Sequence, residues 1–597
     1  MNRRELFRIS TGALVALSGS EAASTPLDLA MVKRAPGRIV PVDPVAGVNR
    51  IELRRDWKDG FCTSRVINHA DRAIRIREVV LFSLPHNLSS DTHFYGESFQ
   101  MLSQTSGTLG HPVDLGYSEV KHYKIPQPDG ATSVTGLLTL SPSGQDSLQF
   151  AFTSCNRFIG RFYVREQAID AVLDTEGREL APGETWDLEE FQFAAGPSRA
   201  ALLDQLAARI NRNHPPLRWT FPPTGWCSWY CFGPRVTATQ VLENLDVIAK
   251  SVPALKYVQI DDGYQPAMGD WLETGTSFGG DVLGVLARIR ERGFQPAIWV
   301  APFIAEAKSH VFQQHPEWFI RDADGRPLPA DRVTFGGWRH GPWYALDGTN
   351  PEVQRHFENL FRTMRKDWGC TYFKLDANFW GAMHGGAFHD PKATRIEAYR
   401  RGMRAILRGA GDSIILGCNH PIWPSFGLIH GSRSSADIKR AWTTFEHVAR
   451  QNLSRNWQNG RLWWNDPDAV VLTGNLPDNE FQFHATAVYA SGGMVLSGDD
   501  LTKIPPDRLT LLRKLLPPTG VAAEFADDSL RVGVVKLPDR QVICMFNWDA
   551  VPRTASVRLP KEVHVTDYWS GENLGPRKGA FVIDDMPPHS ARLFVCK

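Results

Sequence analysis

The sequence predicts a multidomain α/β protein in which a central (β/α)8 TIM barrel is flanked by an N-terminal β-sandwich and a C-terminal all-β domain. Short alternating runs separated by Gly, Pro, Asn and Asp fill residues 39–197, and apolar strand-like runs alternate with helical stripes from 216 to 517. Short strands return after Pro517-Pro518. At 597 residues the chain is too long for one hydrophobic core, which fits three folded units.

The first 23 residues have the outline of a twin-arginine export signal. Arg3 and Arg4 precede a short, weakly apolar run that ends in small residues near Ala22 and Ala23. We therefore expect a periplasmic or extracellular protein, the alternative being a cytosolic start that happens to be basic. No later run of about 20 apolar residues exists, so membrane insertion is not expected.

Residues 39–215 are expected to form the N-terminal β-domain and a helix that links it to the barrel. Ser198 to Asn213 places Ala201, Leu202, Leu206 and Ile210 at helical spacing, and the following His-Pro-Pro is a stop signal. The domain boundary is predicted near Pro215, and the C-terminal β-domain is predicted over residues 518–597.

The barrel prediction depends on a count of strands, because a TIM barrel has eight. Helix signals lie between the runs: Thr237 with Gln240 has the form of a capping box, and Asn350-Pro351 opens an amphipathic helix. The eight candidate strands are 225–230, 257–262, 297–303, 372–376, 413–418, 427–432, 462–465 and 493–498.

Composition excludes some partners and leaves others open. Lys plus Arg total 66 against 65 Asp plus Glu, so no global charge attracts nucleic acid. The 19 Trp suit stacking on sugar rings, although core packing is their commoner role. The eight scattered Cys are expected to be mainly buried thiols, with an occasional disulfide. No metal or cofactor motif appears, so neither is expected, and a homo-oligomer remains an open alternative.

The stretch TYFKLDANF, residues 371–379, contains the clearest chemical signal. Side chains at i and i+2 of a strand share a face, so Lys374 and Asp376 are predicted to point the same way from the fourth strand. Lys374 should then lower the pKa of Asp376 and keep it ionised. Arg433, Ser435 and Asp437 repeat this period of two, provided that the sixth strand continues through RSSAD.

Functional groups of TIM barrels lie at the carboxyl ends of the strands, and nearly every candidate strand here ends in something polar. Each residue also has a structural reading: Asp261-Asp262-Gly263 could be a turn, Arg433 a surface charge, and Trp229 or Trp299 core. His384 and His389 have no metal-ligand spacing and are expected to be solvated loop histidines. Because the polar residues occur together at the strand ends, we expect a functional site there rather than separate structural roles.

Two carboxylates across a sugar-sized cavity are what glycoside hydrolysis needs, with Asp376 as nucleophile and Asp437 as an acid in a less charged setting.

Several motifs in order, among them GWCSWY, QIDDGYQ, IWVAPF, HPEWFIRD, YFKLDANF, RSSAD, WWNDPD and GGMVLSGDD, resemble the α-galactosidases of glycoside hydrolase family 36. These enzymes are relatives of melibiases, raffinose synthases and lysosomal α-galactosidases. The resemblance runs from about Phe221 to Leu516, with weaker support from YGESFQMLSQ, residues 95–104. Leu375 stands where many members have tryptophan, which places the chain nearer a compact microbial branch.

The resemblance implies an N-terminal β-supersandwich, a catalytic barrel and a C-terminal β-domain. It implies a retaining reaction through a covalent glycosyl-enzyme, with Asp376 as nucleophile and Asp437 as acid/base, which predicts carboxyl groups about 5 to 5.5 Å apart. Trp423 and the loop from His384 to His389 are hypothesised to line outer subsites. The residues expected to bind the sugar are Asp261, Asp262, Trp229, Tyr230, Trp299, Lys374, Cys418 and Arg433.

The expected function is hydrolysis of terminal α-galactosidic bonds in oligosaccharides or glycans, without a cofactor or metal. A same-fold alternative is a galactosyltransferase of the raffinose-synthase type, or a hydrolase for another α-glycoside such as an α-N-acetylgalactosaminide. A non-catalytic sugar-binding protein is disfavoured because both carboxylates are present.

Overall fold

The computed structural model describes residues 27–597 and confirms the predicted fold class. An eight-stranded parallel barrel sheet lies between antiparallel sheets that precede and follow it in the chain. The proposed signal at residues 1–23 lies outside the described residues and stays a prediction.

Two antiparallel sheets form the N-terminal β-domain, as the alternating runs predicted. The first has five strands, in the order Arg38–Pro41, Ile74–Pro85, Ala168–Leu180, Ile159–Val164 and Thr132–Thr135. The second has nine strands, eight of them in the order Thr185–Asp187, Phe61–Asn68, Phe191–Gly196, Ser147–Phe152, Leu137–Ser141, His93–Glu97, Ser103–Thr108 and His111–Gly116, and the ninth, Ile51–Lys58, also pairs with Phe61–Asn68. Short helices lie at Leu29–Arg34 and Glu119–His122.

Aromatic side chains fill the space between these sheets. Phe82 packs edge-on against Phe191 with ring centroids 5.0 Å apart, and Phe150 packs likewise against Phe193. The predicted linker helix is present as Arg199–Asn213, and Ser198 caps it by accepting the Ala201 N–H. The apolar face of this helix is buried, which explains why its spacing was visible in the sequence.

The barrel sheet contains all eight predicted strands. Strand β1 pairs with both β2 and β8, and the Met494 N–H donates to the Asn465 carbonyl at 2.8 Å between β7 and β8. The sheet therefore nearly closes. Its strands are β1 (Thr224–Cys227), β2 (Tyr257–Ile260), β3 (Gln295–Val300), β4 (Tyr372–Leu375), β5 (Ile414–Gly417), β6 (Gly431–Arg433), β7 (Trp464–Asp466) and β8 (Val495–Ser497).

The outer helices have the predicted caps. Thr237 and Gln240 form a complete capping box, and Asn350 caps the helix that begins at Pro351. The helices are α1 (Ala238–Ser251), α2 (Val282–Glu291), α3 (Pro351–Lys366), α4 (Arg395–Ala410), α5 (Trp442–Ser454), α6 (Asp478–Ser491) and α7 (Pro506–Lys514). Shorter elements are the helical turns Trp229–Phe232 and His310–Gln314 and the two-stranded antiparallel sheet of Ile304–Glu306 with Trp343–Ala345.

The connection from β5 to β6 has only the 3₁₀ turn Trp423–Ser425 where an outer helix would be expected. The N-terminal domain covers this side of the barrel instead. The Trp423 indole N–H donates to the Phe152 carbonyl at 2.7 Å, and the Ile422 N–H donates to the Phe99 carbonyl at 2.8 Å. The N-terminal domain thus takes the place of an outer helix at this point of the barrel.

The C-terminal sheet packs on α6. Gln482 Nε2 donates to the Ala591 carbonyl at 3.0 Å, and the Trp569 indole donates to Thr486 Oγ1 at 2.9 Å. In order across the sheet, its strands are Glu524–Phe525, Val532–Lys536, Gln541–Asn547, Ser590–Cys596, Arg553–Asp567 and Asn573–Met586.

All eight cysteines lie within the described residues as free thiols, and Cys231 alone among them is not fully buried. This confirms that they are mainly buried thiols. Between residues 27 and 597, no helix combines the length and the apolar character needed to cross a membrane.

Candidate active site

A cavity of about 240 Å³ opens at the carboxyl ends of the barrel strands. Its volume is below the roughly 300 to 1,000 Å³ of clefts that hold drug-sized ligands, so it fits one small ring. The cavity-lining residues are Leu102, Tyr117, His122, Tyr123, Trp229, Asp261, Asp262, Trp299, Phe335, Trp338, Lys374, Asp376, Cys418, Asn419 and Asp437.

Lys374 and Asp261 form a buried ion pair in this cavity. Lys374 Nζ lies 3.0 Å from Asp261 Oδ2, and the two side chains are 7% and 2% exposed. Gln259 Nε2 donates to the same oxygen at 2.6 Å. Burial opposes the charge on Lys374, but Asp261 together with Cys227, Cys418 and Asp376 outweighs it, and the pKa of the ammonium is raised well above its usual value. A fixed cation and its carboxylate therefore face the cavity together.

Asp262 is held by an arginine that sequence reasoning missed. Arg339 Nε donates to Asp262 Oδ2 at 3.1 Å, Arg339 Nη2 also donates to Oδ1, and Gln265 Nε2 donates to Oδ1 at 2.7 Å. Arg339 lies in the long connection after β3, 77 positions from its partner and outside any periodic pattern. No local signal could have found it.

Asp376 sits immediately after β4, with both carboxylate oxygens hydrogen-bonded. Trp299 Nε1 donates to Oδ2 at 3.1 Å, and the Ala377 N–H donates to Oδ1 at 2.7 Å. Ala377 has a left-handed backbone with φ 54°, a conformation that is uncommon outside glycine and clusters at functional sites. These two donors fix the direction in which the carboxylate points.

The charge environment of Asp376 agrees only in part with the prediction, because Lys374 lowers the pKa of Asp376 as expected but does not set its net direction. Lys374 makes its direct ion pair with Asp261 rather than with Asp376, the carboxylate two positions along. Burial raises the pKa of Asp376 above its usual value, and the Lys374 charge and the two hydrogen bonds offset it only in part. The desolvation of Asp376 therefore raises its pKa by more than the attraction to Lys374 lowers it.

Asp437 lies on a loop, because β6 ends at Arg433 and does not continue through RSSAD. Its contact with Arg433 is nonetheless direct: Arg433 Nη2 lies 2.8 Å from Asp437 Oδ1. Although partial desolvation opposes ionisation, Arg433 and Lys374 lower the pKa of Asp437 below its usual value. The setting is thus more charged than predicted, while the Asp437 side chain is still 54% exposed.

Arg433 also binds a second carboxylate, Asp468, to which the sequence analysis gave no role. Asp468 Oδ2 lies 2.6 Å from Arg433 Nη2 and accepts the Tyr230 hydroxyl and the Ile438 N–H, each at 2.6 Å. Burial raises the pKa of Asp468 to about 7 despite the arginine. The WWNDPD motif that contains it was the available signal.

The predicted sugar-binding residues divide into two groups. Trp229, Trp299, Cys418, Lys374 and the two aspartates after β2 line the cavity, whereas Tyr230 and Arg433 are not among its lining residues in the described chain. Tyr230 and Arg433 lie in the hydrogen-bonded network behind Asp437. Their direct contact with a sugar stays a prediction.

The N-terminal domain contributes four lining residues, Leu102, Tyr117, His122 and Tyr123. Of these, only Leu102 falls within a motif that the sequence singled out. Tyr123 donates its hydroxyl to Asn419 Oδ1 at 3.0 Å, so this domain contacts the loop after β5 beside the cavity.

Trp423 does not line an outer subsite, because its side chain is fully buried against the N-terminal domain. His384 is largely buried, and its pKa is lowered to about 4 by desolvation, so the expectation of a solvated histidine was wrong for His384.

Within residues 27–597, one group could supply three metal ligands, Asp270, Glu273 and His310. This group lies apart from the cavity-lining residues.

Residues 256–405 match the Melibiase family model. Among similar proteins, a myogenesis-regulating glycosidase of Mus musculus is 31% identical over 153 residues, which cover 26% of this chain and 20% of the relative. An A type blood α-D-galactosamine galactosaminidase of Flavonifractor plautii is 32% identical over 160 residues, which cover 25% of this chain and 14% of the relative. The matches therefore span a fifth or less of these relatives.

The fold is similar over a larger part of the chain. An α-galactosidase of Thermus thermophilus, solved in complex with p-nitrophenyl α-D-galactopyranoside, superposes with a TM-score of 0.64 at 24% identity and covers 81% of this chain and 98% of that structure. Together with the Melibiase match, this confirms the resemblance to the α-galactosidase-like glycoside hydrolases.

Proposed function

We propose that the chain is a retaining exo-glycosidase that hydrolyses terminal α-galactosidic bonds of oligosaccharides or glycans. The observation that carries the proposal is that Asp376 and Asp437 line one ring-sized cavity together with the Lys374–Asp261 ion pair and Asp262. Two carboxylates perform the reaction, and fixed charged groups bind the sugar hydroxyls.

In this proposal Asp376 attacks the anomeric carbon while Asp437 transfers its proton to the leaving oxygen. The glycosidic bond breaks, its electron pair stays on that oxygen, and a covalent glycosyl-enzyme forms on Asp376. Asp437 then takes a proton from water, the water oxygen bonds to the anomeric carbon, and Asp376 is released. The hydrogen bonds from Trp299 and Ala377 aim the Asp376 carboxylate throughout.

The acid role requires a change at Asp437, because Arg433 favours its ionised form in the free protein. About half of the Asp437 side chain is exposed, so a bound leaving group would cover it and remove water from it. Desolvation raises the pKa of a carboxyl group. Substrate binding itself therefore promotes protonation of the acid.

A panel of aryl α-glycosides tests the assignment. We expect wild-type activity on p-nitrophenyl α-galactoside and nearly complete loss in Asp376→Asn. Asp437→Asn should lower kcat/KM about 10²- to 10⁴-fold on unactivated disaccharides, the range that a general acid supplies, and less on nitrophenyl substrates, whose leaving group needs little protonation. Wild-type protein inactive on every α-galactoside would sink the proposal.

The stereochemistry of the product tests the retaining route separately. Retention predicts that the first sugar released from an α-galactoside is the α-anomer, which proton NMR can observe before mutarotation. The β-anomer as first product would indicate inversion. Adding a sugar acceptor to the same reaction would reveal transfer, the activity of the raffinose-synthase alternative.

A second candidate is hydrolysis of an α-galactosaminide. The galactosaminidase relative is 32% identical over its matched segment, which supports including this substrate class. The aryl panel should therefore contain α-galactosaminide and α-N-acetylgalactosaminide. A higher kcat/KM on either than on the galactoside would favour this candidate.

A further inference from the structure

Three stacked rings border the cavity. The Tyr117 ring lies on the His122 imidazole with centroids 4.5 Å apart and planes 20° apart, and His122 lies on Phe335 at 4.0 Å and 28°. All three residues line the cavity. Tyr117 forms the outer end of this aromatic stack and is 42% exposed, so its ring is accessible to a ligand.

The backbone around Tyr117 is held on both sides. Its N–H donates to the Leu102 carbonyl at 3.0 Å, and its carbonyl accepts the Ser103 hydroxyl. Gly116, just before it, has φ 98°, and a Cβ there would lie 2.0 Å from the Leu102 oxygen and 2.2 Å from Gln451 Nε2. Only glycine fits at position 116, and Gly116 therefore determines the backbone path that leaves the Tyr117 ring exposed.

The same contacts connect Tyr117 to the loop of the candidate acid. Gln451, which packs against Gly116, accepts the Ala436 N–H on its side-chain oxygen at 2.7 Å. Ala436 immediately precedes Asp437. Burial raises the pKa of the Tyr117 hydroxyl, and the Asp437 charge adds to this rise, which is consistent with the two side chains being near each other.

The direction of the leaving group follows from the chemistry. A general acid must lie beside the glycosidic oxygen, so the leaving group exits the cavity on the Asp437 side. The cavity holds one ring, and the leaving group must therefore lie beyond it. Trp338, which also lines the cavity, is 40% exposed and offers a second aromatic surface.

We propose that Tyr117, supported by His122 and Phe335, is the stacking platform for the leaving group and makes the enzyme prefer leaving groups with a flat ring face. A pyranose or aryl ring presents such a face to an aromatic side chain, whereas a methyl group does not. This inference rests on the proposed α-galactosidase function. It assigns selection of the leaving group to the N-terminal domain.

Tyr117→Ala, compared across three substrates, tests the platform. We expect kcat/KM on a galactosyl disaccharide and on p-nitrophenyl α-galactoside to fall about three- to tenfold, the range of one aromatic stacking contact. On methyl α-galactoside kcat/KM should stay within about twofold, and inhibition by free galactose should not change, since neither ligand has a second ring to stack on the exposed face of Tyr117. Tyr117→Phe should retain the wild-type preference because it keeps the ring.

The matched control is Val113→Ala, since Val113 is equally exposed on the preceding strand but does not line the cavity. Val113→Ala should leave all three substrates unchanged. An equal loss on all substrates in Tyr117→Ala, or no loss on the ring-bearing ones, would overturn the platform alone. A wild-type protein inactive on all three would overturn the α-galactosidase assignment and the platform with it.

Discussion

Arg433 shares one positive charge between two carboxylates. Its Nη2 lies 2.6 Å from Asp468 and 2.8 Å from Asp437, and its side chain is 1% exposed. Because neither carboxylate has the arginine to itself, the charge state of one changes the proton affinity of the other. Asp468 thereby restrains the stabilisation that Arg433 gives to ionised Asp437.

This sharing predicts the effect of Asp468→Asn. Because the pKa of Asp468 is about 7, its negative charge is present only above that pH, where it competes with Asp437 for Arg433. Above pH 7, Asp468→Asn leaves Arg433 to Asp437 alone, so the protonated fraction of Asp437 and kcat/KM should fall by up to about tenfold relative to wild type, which corresponds to about one pKa unit or about 1.4 kcal/mol. Below about pH 6, where Asp468 is already neutral, the two profiles should coincide. The measurement is a pH–rate profile on an unactivated disaccharide.

The other charged groups near the pair are unchanged in this variant: Lys374 and Lys439 act on Asp437, and Asp466 acts on Asp468. Asp549→Asn, a carboxylate in the C-terminal domain, is the control and should leave the profile in place. An equal loss of activity at every pH would mean that Asp468 has only a structural role.

At the scale of elements, the turn Trp423–Ser425 substitutes for an outer helix. Trp423 is fully buried, and its indole packs against Gly136 of the N-terminal domain, where a Cβ would lie 2.2 Å from the ring. The turn is therefore stabilised by another domain in addition to its own backbone hydrogen bonds. Its stability depends on this fit.

Trp423→Ala should destabilise the protein by about 3 to 5 kcal/mol, because a large buried side chain leaves a cavity and the Phe152 carbonyl loses its donor. The urea midpoint of unfolding measures the change. Trp219→Ala is a suitable comparison, since Trp219 is 37% exposed and should lower the midpoint far less. Similar midpoints for the two variants would contradict the anchoring role.

Elements with a repeating pattern could be predicted, and contacts across the chain could not. The stripe of Val353, Phe357 and Leu360 identified α3 because a helix buries one face at a fixed period. Arg339 and Tyr117 lie on irregular segments, and their partners are set by tertiary packing. The strand register placed Lys374 correctly in the cavity, yet its pairing with Asp261 rather than Asp376 depended on β2, which lies two strands away in the sheet.

For the whole molecule, a buried ion pair joins the N-terminal domain to the part of the barrel that holds the loop of Asp437. Arg455 Nη2 lies 2.7 Å from Glu97 Oε2, and both side chains are at most 1% exposed. Arg455 also donates to the carbonyls of Ser103, in the N-terminal domain, and Ser434, three residues before Asp437. The domain interface and the loop of Asp437 are thus parts of one hydrogen-bonded network.

Glu97→Gln should cost about 3 to 5 kcal/mol, because it leaves the Arg455 charge buried without a partner. The double variant Glu97→Gln/Arg455→Met should recover part of that loss, since it removes the unpaired charge. Urea unfolding of both, beside Glu52→Gln in an exposed ion pair with Arg54, measures the difference. A Glu97→Gln variant as stable as Glu52→Gln would refute the buried-pair argument.

The contact between Trp423 and the N-terminal domain also bears on the order in which the two regions fold during synthesis. The last strand of the N-terminal sheets ends at Gly196, roughly 230 residues before Trp423. At a ribosomal rate of about 5 to 20 residues per second, those strands emerge roughly 11 to 45 s earlier. The N-terminal domain can therefore fold before Trp423 is synthesised, so the barrel forms against a surface of the same chain that is already folded.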